Sequence, residues 1–470
     1  MRTKKANLQG STTAVVGFGR AGQAVCRYLA ACGARVLVSD MRRLDELSDA
    51  ERELLEHCSA GFEGGGHSTE YLSAAEKVVL SPGVDYRHPA LEQLRRNKIE
   101  ILGELGLAAD KFRAPVIAVT GTNGKTTVTE LIGSMLQAAG KRVFVGGNIG
   151  TPIGEYLLAQ QECDVIILEL SSFQLELSGD FIPEVGVLLN ISPDHLDRHQ
   201  NLDNYAAAKL RIFQGGPKNT LCVVNDDDQL CKRYLEEAGI RECARFGFNQ
   251  ACEAVIEQTG PAGVGGEARI TLFRNGTRQV FDLSNSPMAN LSGLLNGAAA
   301  LLAISRYNLE QSLLEPALRS FVPGSHRLQK VAEIGGVVYI DDSKATNTGA
   351  VINGINQVGG RVILIAGGRD KGDDYRLLRS AVAAHVKHLI LIGEAADKLG
   401  QALADLAPID YPASMAEAVV RAAAAAKPGD TVLLSPACAS FDMFENYQQR
   451  GVSFSNEVQH IAERLSAGVH

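Results

Sequence analysis

No stretch of the 470-residue chain approaches the ~18 uninterrupted apolar residues that a membrane-spanning helix needs, so no membrane insertion is expected. The start, Met-Arg-Thr-Lys-Lys-Ala-Asn, runs straight into a strand-like segment, with no apolar signal core or small-residue cleavage site behind it. A soluble, cytoplasmic protein is the expectation. The nine cysteines are scattered singly and no Cys-x-x-Cys pair occurs, which argues against a zinc site or disulfide frame and for reduced packing residues. Long runs of one charge are missing too, and 46 Lys and Arg against 54 Asp and Glu leave a formal net charge of -8. Such a surface does not select nucleic acid or anionic membrane, although it leaves room for a local basic pocket that takes a phosphorylated small molecule.

What is present begins with Val116–Thr127, Val-Ile-Ala-Val-Thr-Gly-Thr-Asn-Gly-Lys-Thr-Thr. A β-branched run ends in Gly121 and Gly124, and an amphipathic pattern then continues at helical spacing. Strand, loop and helix in that order make a phosphate site. Backbone N–H groups of Gly121, Thr122, Asn123 and Gly124 converge on phosphate oxygens, and the helix N-terminus adds partial positive charge. Lys125 neutralises a phosphate, and Thr126 and Thr127 follow, the first offering its hydroxyl to Mg²⁺. Val119 stands where the commonest form of this loop has a glycine.

Length divides the chain further, since ~150 residues per domain predicts three. The first, 1–103, opens with a strand leading into Gly17-x-Gly19-x-x-Gly22, and the next strand, Arg35–Ser39, ends in Asp40. That is a dinucleotide-type turn in which the acid accepts from a hydroxyl; a nicotinamide cofactor and a merely tight strand-to-helix turn are both compatible with it. Ser81-Pro82-Gly83 makes a second loop that a ligand can approach. In the second domain, 104–323, strands end in polar tips at Gly146–Gly150, Glu169 and Ser192–Asp197. Ligands gather at such ends of open parallel sheets, which places Glu169 and His195 within reach of the metal and phosphates held by Lys125. An acid ending an apolar strand is equally often a solvated strand end. Lys209, on an amphipathic helix, reads from its neighbours as a surface-facing lysine. Thr271–Phe281 reads as a hairpin appendage with an Asn-Gly turn, and Asn290–Ile304 as a helix carrying Asn296 near its start. The third domain, 324–470, follows Val322-Pro-Gly-Ser, a hinge, with strands at Gly336–Ile340, Arg361–Ile365, His388–Ile392 and Thr431–Leu434. Lys344, Arg369 and Lys371 lie at neighbouring strand tips, three cations suited to an acidic substrate.

Seven segments together resemble the Mur ligases, the ATP-dependent enzymes of peptidoglycan precursor synthesis. They are Thr120-Gly-Thr-Asn-Gly-Lys-Thr-Thr127, Gly146-Gly-Asn-Ile-Gly150, Leu168-Glu-Leu-Ser-Ser-Phe-Gln-Leu175, Asp194-His-Leu-Asp-Arg198, Ala207-Ala-Lys-Leu-Arg211, Asp342-Ser-Lys-Ala-Thr-Asn347 and Leu434-Ser-Pro-Ala-Cys-Ala-Ser-Phe-Asp442. The Asp342–Asn347 block points to the branch that adds D-glutamate. The resemblance implies an α/β fold in three parts: a Rossmann-like N-terminal domain, a central P-loop ATPase-like parallel sheet and a C-terminal Rossmann-like domain. It also implies a ligase that joins D-glutamate to UDP-N-acetylmuramoyl-L-alanine through an acyl phosphate, and a monomer.

The resemblance extends to individual residues. Gly17, Gly19, Gly22, Asp40, Arg42, Ser81, Pro82, Gly83 and Asn148 would bind the UDP-substrate, with Met41 standing where members often carry threonine. Thr126 and Glu169 would hold one Mg²⁺, and His195 with a carbamylated Lys209 a second. Asn296, Arg327 and Asp342 would contact ATP, Asn296 being the one match to the family's adenine segment. Lys344, Thr346, Lys371, Ser440 and Tyr447 would receive D-glutamate.

Overall fold

The computed structural model describes residues 8–259, 266–274, 276–358 and 360–466. Residues 1–7, whose lack of a signal core set the leader-free expectation, lie outside these, as does Asn275 of the expected hairpin turn. Among the described residues no helix is long and apolar enough to cross a membrane.

Three sheets organise the chain. The first holds β1 (Thr12–Val16), β2 (Arg35–Asp40), β3 (Gly61–Gly64), β4 (Lys77–Leu80) and β5 (Glu100–Gly103), all parallel in the order β3-β2-β1-β4-β5. The order reverses beside β1. Its outgoing turn therefore lies at the crevice where open α/β sheets take ligands.

The central sheet has nine strands: β6 (Val116–Thr120), β7 (Val143–Gly147), β8 (Val165–Glu169), β9 (Val185–Leu188), β10 (Leu221–Asn225), β11 (Ala244–Gly247), β12 (Ala254–Gln258), β13 (Ala268–Arg274) and β14 (Thr277–Asp282). Seven run parallel in the order β12-β11-β10-β9-β6-β8-β7. The hairpin expected as an appendage continues this sheet, because β13 pairs antiparallel with β12 through Ala254↔Leu272 to Gln258↔Ala268. Gly276 holds the left-handed φ of 75° that a two-residue hairpin turn requires. Both faces are covered. The helix Leu291–Ile304, apolar nearly all round and almost wholly buried, packs with the helix Lys125–Ala138 on one face; a second cluster around Leu168, Leu175 and Phe213 covers the other. Burial on both sides is why β6, β8 and β9 read as continuous apolar runs rather than alternating ones.

The third sheet is β15 (Gln329–Ile334), β16 (Val337–Asp341), β17 (Arg361–Gly367), β18 (Val386–Ile392), β19 (Ile409–Asp410) and β20 (Asp430–Leu434), ordered β15-β16-β20-β17-β18-β19 with β15 antiparallel. Gly336, expected to begin a strand, belongs instead to a turn with Gly335, both at positive φ (58° and 77°), that reverses the chain from β15 into β16. Such mirror-image turns favour Gly-Gly.

Candidate active site

Strand β6 is wholly buried and delivers Thr120, whose Oγ1 donates to the Leu170 carbonyl at 2.8 Å. The next residues turn sharply. Gly121 and Gly124 take φ of 153° and 84°, and a Cβ on either would meet Leu189 Cβ at 2.9 Å or Asn296 Oδ1 at 2.7 Å. Glycine is therefore required twice, and Asn296 lies directly against the loop. Asn190, to which the sequence assigned no role, fixes the loop's shape: its Oδ1 accepts from the N–H of Thr122 (3.1 Å) and Asn123 (2.8 Å), and its Nδ2 donates to the Asn123 carbonyl (3.0 Å). Its one visible signal was a polar residue following an apolar strand. Lys125 Nζ donates to the carbonyls of Gly121 (2.9 Å) and Thr122 (2.7 Å). Burial lowers its pKa, opposed by the charges of Glu169 and Asp194.

The loop borders a cavity of about 740 Å³ walled by the central and third sheets. Thr126, Thr127, Glu169, His195 and Lys209 line it from one side, and Arg327, Asp342, Lys344 and Thr346 from the other. Glu169 is not a solvated strand end, since it is 2% exposed. One oxygen accepts from Asn148 Nδ2 at 2.7 Å, while Oε2 is buried with no partner. Asn148, expected at the UDP-substrate, thus stands against Glu169 on the cavity wall.

Lys209 corrects the surface-lysine reading: it is 1% exposed. Its Nζ donates to the Gly121 carbonyl at 2.7 Å and lies 4.5 Å from the centre of the Tyr205 ring. Burial, then the neighbouring Lys125, drive its pKa well below that of a free lysine. The helical pattern of Ala206–Lys209 gave no hint of this, because the surroundings come from the distant phosphate loop. His195 has φ of 54° and begins the short helix Leu196–His199. Its ring meets Phe173 edge to face at 5.0 Å, and burial lowers its pKa despite Asp194 beside it.

The third sheet reaches across at two points. Asn347 and Asn123 exchange amide hydrogen bonds of 3.1 and 3.3 Å, and Lys371 Nζ binds Asp194 Oδ1 at 2.5 Å. Asn347 and Asp194 stand in two of the segments that carry the resemblance, but the sequence assigned neither a role. The Asp342 carboxyl accepts from Ser435 Oγ (2.9 Å) and Leu328 N–H (3.3 Å), and burial pushes it up to about 7. Burial, then Arg327, brings Lys344 down to about 8, and its ammonium lies 4.1 Å from the centre of the Tyr447 ring. Ser440 is buried, its carbonyl accepting from Met443 and Phe444.

The first sheet carries its own cleft of about 350 Å³, lined by Gly17, Gly19, Asp40, Ser81, Pro82 and Gly83 among others. Gly22 is set by packing, as a Cβ there would fall 2.0 Å from the Gly17 carbonyl oxygen. Burial opposes the charge of Asp40, but the N–H groups of Arg42 and Phe18 and the Arg42 side chain hold the carboxyl below its ordinary value. The acid expected to accept from a ligand hydroxyl is therefore already shaping its own turn, with Arg42 Nε on Oδ1 at 3.1 Å and Phe18 N–H on Oδ2.

Comparison with known proteins matches three family descriptions along the chain: Mur ligase MurD-like N-terminal domain at residues 11–103, Mur ligase middle domain at 119–302, and Mur ligase glutamate ligase domain at 326–438. The UDP-N-acetylmuramoylalanine--D-glutamate ligase of Desulfotalea psychrophila is 47% identical over 455 residues, covering 96% of this chain and 97% of the relative. The enzyme of the same name from Acidobacterium capsulatum is 40% identical over 464 residues, 98% of each chain. Among solved structures, the MurF ligase of Thermotoga maritima in complex with ADP superposes with a TM-score of 0.62 at 17% identity, covering 98% of this chain and all (100%) of that one. UDP-N-acetylmuramate-alanine ligase of Thermotoga maritima superposes with 0.59 at 18% identity, covering 96% and 99%. At those identities the structures show a shared three-domain α/β fold.

Proposed function

The chain belongs to the Mur ligase family, and from that membership we propose that it joins D-glutamate to UDP-N-acetylmuramoyl-L-alanine with cleavage of ATP in peptidoglycan precursor synthesis. The observation that carries this reading is the single cavity where Lys125 and Glu169 from the central sheet face Lys344 and Thr346 from the third. Phosphate chemistry and an acidic amino acid are served from opposite walls. Membership also sets aside the nicotinamide reading of the Gly17 turn.

The chemistry follows from a leaving-group problem. A carboxylate forms no amide directly because oxide is a poor leaving group, so the terminal alanine carboxylate takes the γ-phosphoryl of ATP, and the amine of D-glutamate then displaces phosphate from the acyl phosphate. The N–H groups of Thr122 and Asn123, expected on phosphate, are instead taken by Asn190, so Lys125 and the N-terminus of its helix offset charge on the transferring group. The two cations Lys344 and Lys371 suit the two carboxylates of D-glutamate. Lys371, Ser440 and Tyr447 stand outside the cavity's lining; we assign Ser440 and Tyr447 to D-glutamate from the family resemblance, Tyr447 lying against Lys344. Arg327, Asp342 and Asn296 serve the nucleotide, and the Gly17–Gly22 turn with Asp40, Arg42 and Ser81–Gly83 serves the UDP end.

The residues fit Mg²⁺. Mg²⁺ characteristically takes one or two protein oxygens and completes its shell with water and substrate phosphates. The buried, unpartnered Glu169 Oε2 and the Thr126 hydroxyl would hold one ion, and His195 with Lys209 a second. When bound, Mg²⁺ supplies charge stabilisation to phosphoryl oxygens. Lys209 could serve only as an anion. A neutral amine adds CO₂ and loses a proton to become a carbamate, and this interior position, where burial disfavours the ammonium and its hydrogen bond goes to the Gly121 carbonyl, supports that modification. From the family resemblance we read the enzyme as a cytoplasmic monomer.

Phosphate release from ATP, measured with UDP-N-acetylmuramoyl-L-alanine and a panel of amino acids, tests the assignment. D-glutamate should stimulate release strongly and L-glutamate should not. Equal stimulation by either enantiomer, or by a neutral amino acid, overturns the substrate.

A further inference from the structure

Arg198 ends the Asp194–Arg198 segment and turns away from the phosphate loop toward the first sheet. Its guanidinium donates to the carbonyls of Pro82 (Nη1, 2.6 Å) and Val84 (Nη2, 2.7 Å). These residues flank Gly83, and all three line the cleft of the first sheet. The same loop is tied to the glycine turn, because Ser81 Oγ donates to the Gly17 carbonyl at 2.6 Å. On its other side the guanidinium carbon lies 3.9 Å from the centre of the Phe173 ring. That ring meets His195 edge to face at 5.0 Å and stacks on His199 at 5.2 Å. A return contact closes the joint, with Arg87 donating to the Arg198 carbonyl while Asp85 holds Arg87 at 3.2 Å.

Each contact has a physical reason to be an arginine. A planar fork spans two carbonyl oxygens and stacks on an aromatic face at once, which a lysine ammonium cannot do. Recognition of carbonyls fixes the path of the Ser81–Val84 loop. His195 sits less than one helical turn from Arg198 and shares its aromatic support. We propose that Arg198 is a positioning residue that locks the loop of the first-sheet cleft to the His195 imidazole, so that occupancy of that cleft raises the affinity of the central cavity for ATP. This rests on the reading of that cleft as the UDP-substrate site.

Coupling between two sites is reciprocal and measurable as a ratio of affinities. The experiment titrates the full-length protein with a non-hydrolysable ATP analogue and Mg²⁺, alone and with saturating UDP-N-acetylmuramoyl-L-alanine, whose own binding is measured separately. In wild type the second ligand should tighten the analogue about tenfold, within the usual range of such couplings. In Arg198→Lys and Arg198→Ala, analogue affinity measured alone should stay at the wild-type value while the enhancement falls below about twofold. Added guanidinium ion should restore part of it in the alanine variant. Arg198→Lys keeps charge and most of the volume, so it carries the test if the alanine variant fails to fold. An undiminished enhancement in Arg198→Lys overturns the proposal, as does an equal loss of affinity with and without UDP-substrate, the mark of a merely structural residue. Wild type that binds the UDP-substrate without tightening the analogue overturns it as well. Wild type that binds no UDP-substrate instead refutes the assignment of the cleft, and the coupling proposal falls with it.

Discussion

A lysine that is 1% exposed, bonded to a carbonyl and next to a second lysine spends its burial on something other than a salt bridge. Isolated buried ammonium is costly enough that the neutral form is preferred. If that form carries a carbamate, Lys209→Ala should lose most turnover, and acetate or formate should restore part of it by filling the vacated position. Activity across added carboxylate is the measurement, and wild-type turnover in the unsupplemented variant rejects the role. Lys344 and Lys371 make a different prediction. Replacing either with alanine should raise the KM for D-glutamate by tenfold or more, about 1.4 kcal/mol or above for an unpaired carboxylate, while the KM for UDP-substrate stays within about twofold. Steady-state kinetics with each substrate varied would expose the opposite pattern. At this scale the sequence was readable where chemistry and local position coincide, as in Gly121, Gly124 and Lys125. It was silent where a residue's environment arrives from elsewhere in the chain: Lys209 depends on the phosphate loop, Asn190 on the N–H groups of Thr122 and Asn123, and Asp194 on Lys371 of another sheet.

Elements follow the same division. Strands β6 and β8 are apolar throughout and end in a glycine turn or an acid, so their periodicity and punctuation agree. Strands β3, β5 and β19 are two to four residues long, too short for any alternation to register. β15, Gln-Lys-Val-Ala-Glu-Ile, keeps no strict alternation and shifts register between Lys330 and Ala332, so it gains its identity from the Gly335-Gly336 reversal. One helix start carries a pH dependence. Glu104 opens the helix Glu104–Ala108, and its Oε1 accepts from the Gly154 N–H at 2.7 Å while Oε2 has no partner. Burial raises its pKa from 4.5 to about 7. Between those values the folded chain holds the proton that the unfolded chain has lost, so this group's contribution to stability falls as pH rises through the window. Glu104→Gln keeps the acceptor and removes the charge. It should match wild type below about pH 4.5 and exceed it by a few kcal/mol above about pH 7; denaturant midpoints at the two ends measure this, and a constant difference across pH would contradict it.

The whole molecule is assembled by contacts that cross sheets: Arg198 on the Pro82 and Val84 carbonyls, Arg20 on the Gly150 carbonyl at 3.0 Å, Asn123 with Asn347, and Asp194 with Lys371. The first two tie the first sheet to the central one, and the last two close the third sheet over the phosphate-loop cavity, so parts far apart in sequence border the reacting volume and would keep water from an acyl phosphate. Sheet architecture was foreseeable from the alternation of strands and helices, whereas these crossings pair residues with no shared local pattern. The β13–β14 hairpin adds a further consequence for solubility. By pairing with β12 along Ala254–Gln258 it hides backbone donors and acceptors that an edge strand would offer to other molecules. Val255 and Ile256 would make that edge sticky as well as unpaired. Joining the chain across deleted residues 268–282 should leave a protein that self-associates at micromolar concentration, and sedimentation velocity would register the shift to larger species. A deletion variant that sediments as wild type does would show that the ribbon guards nothing.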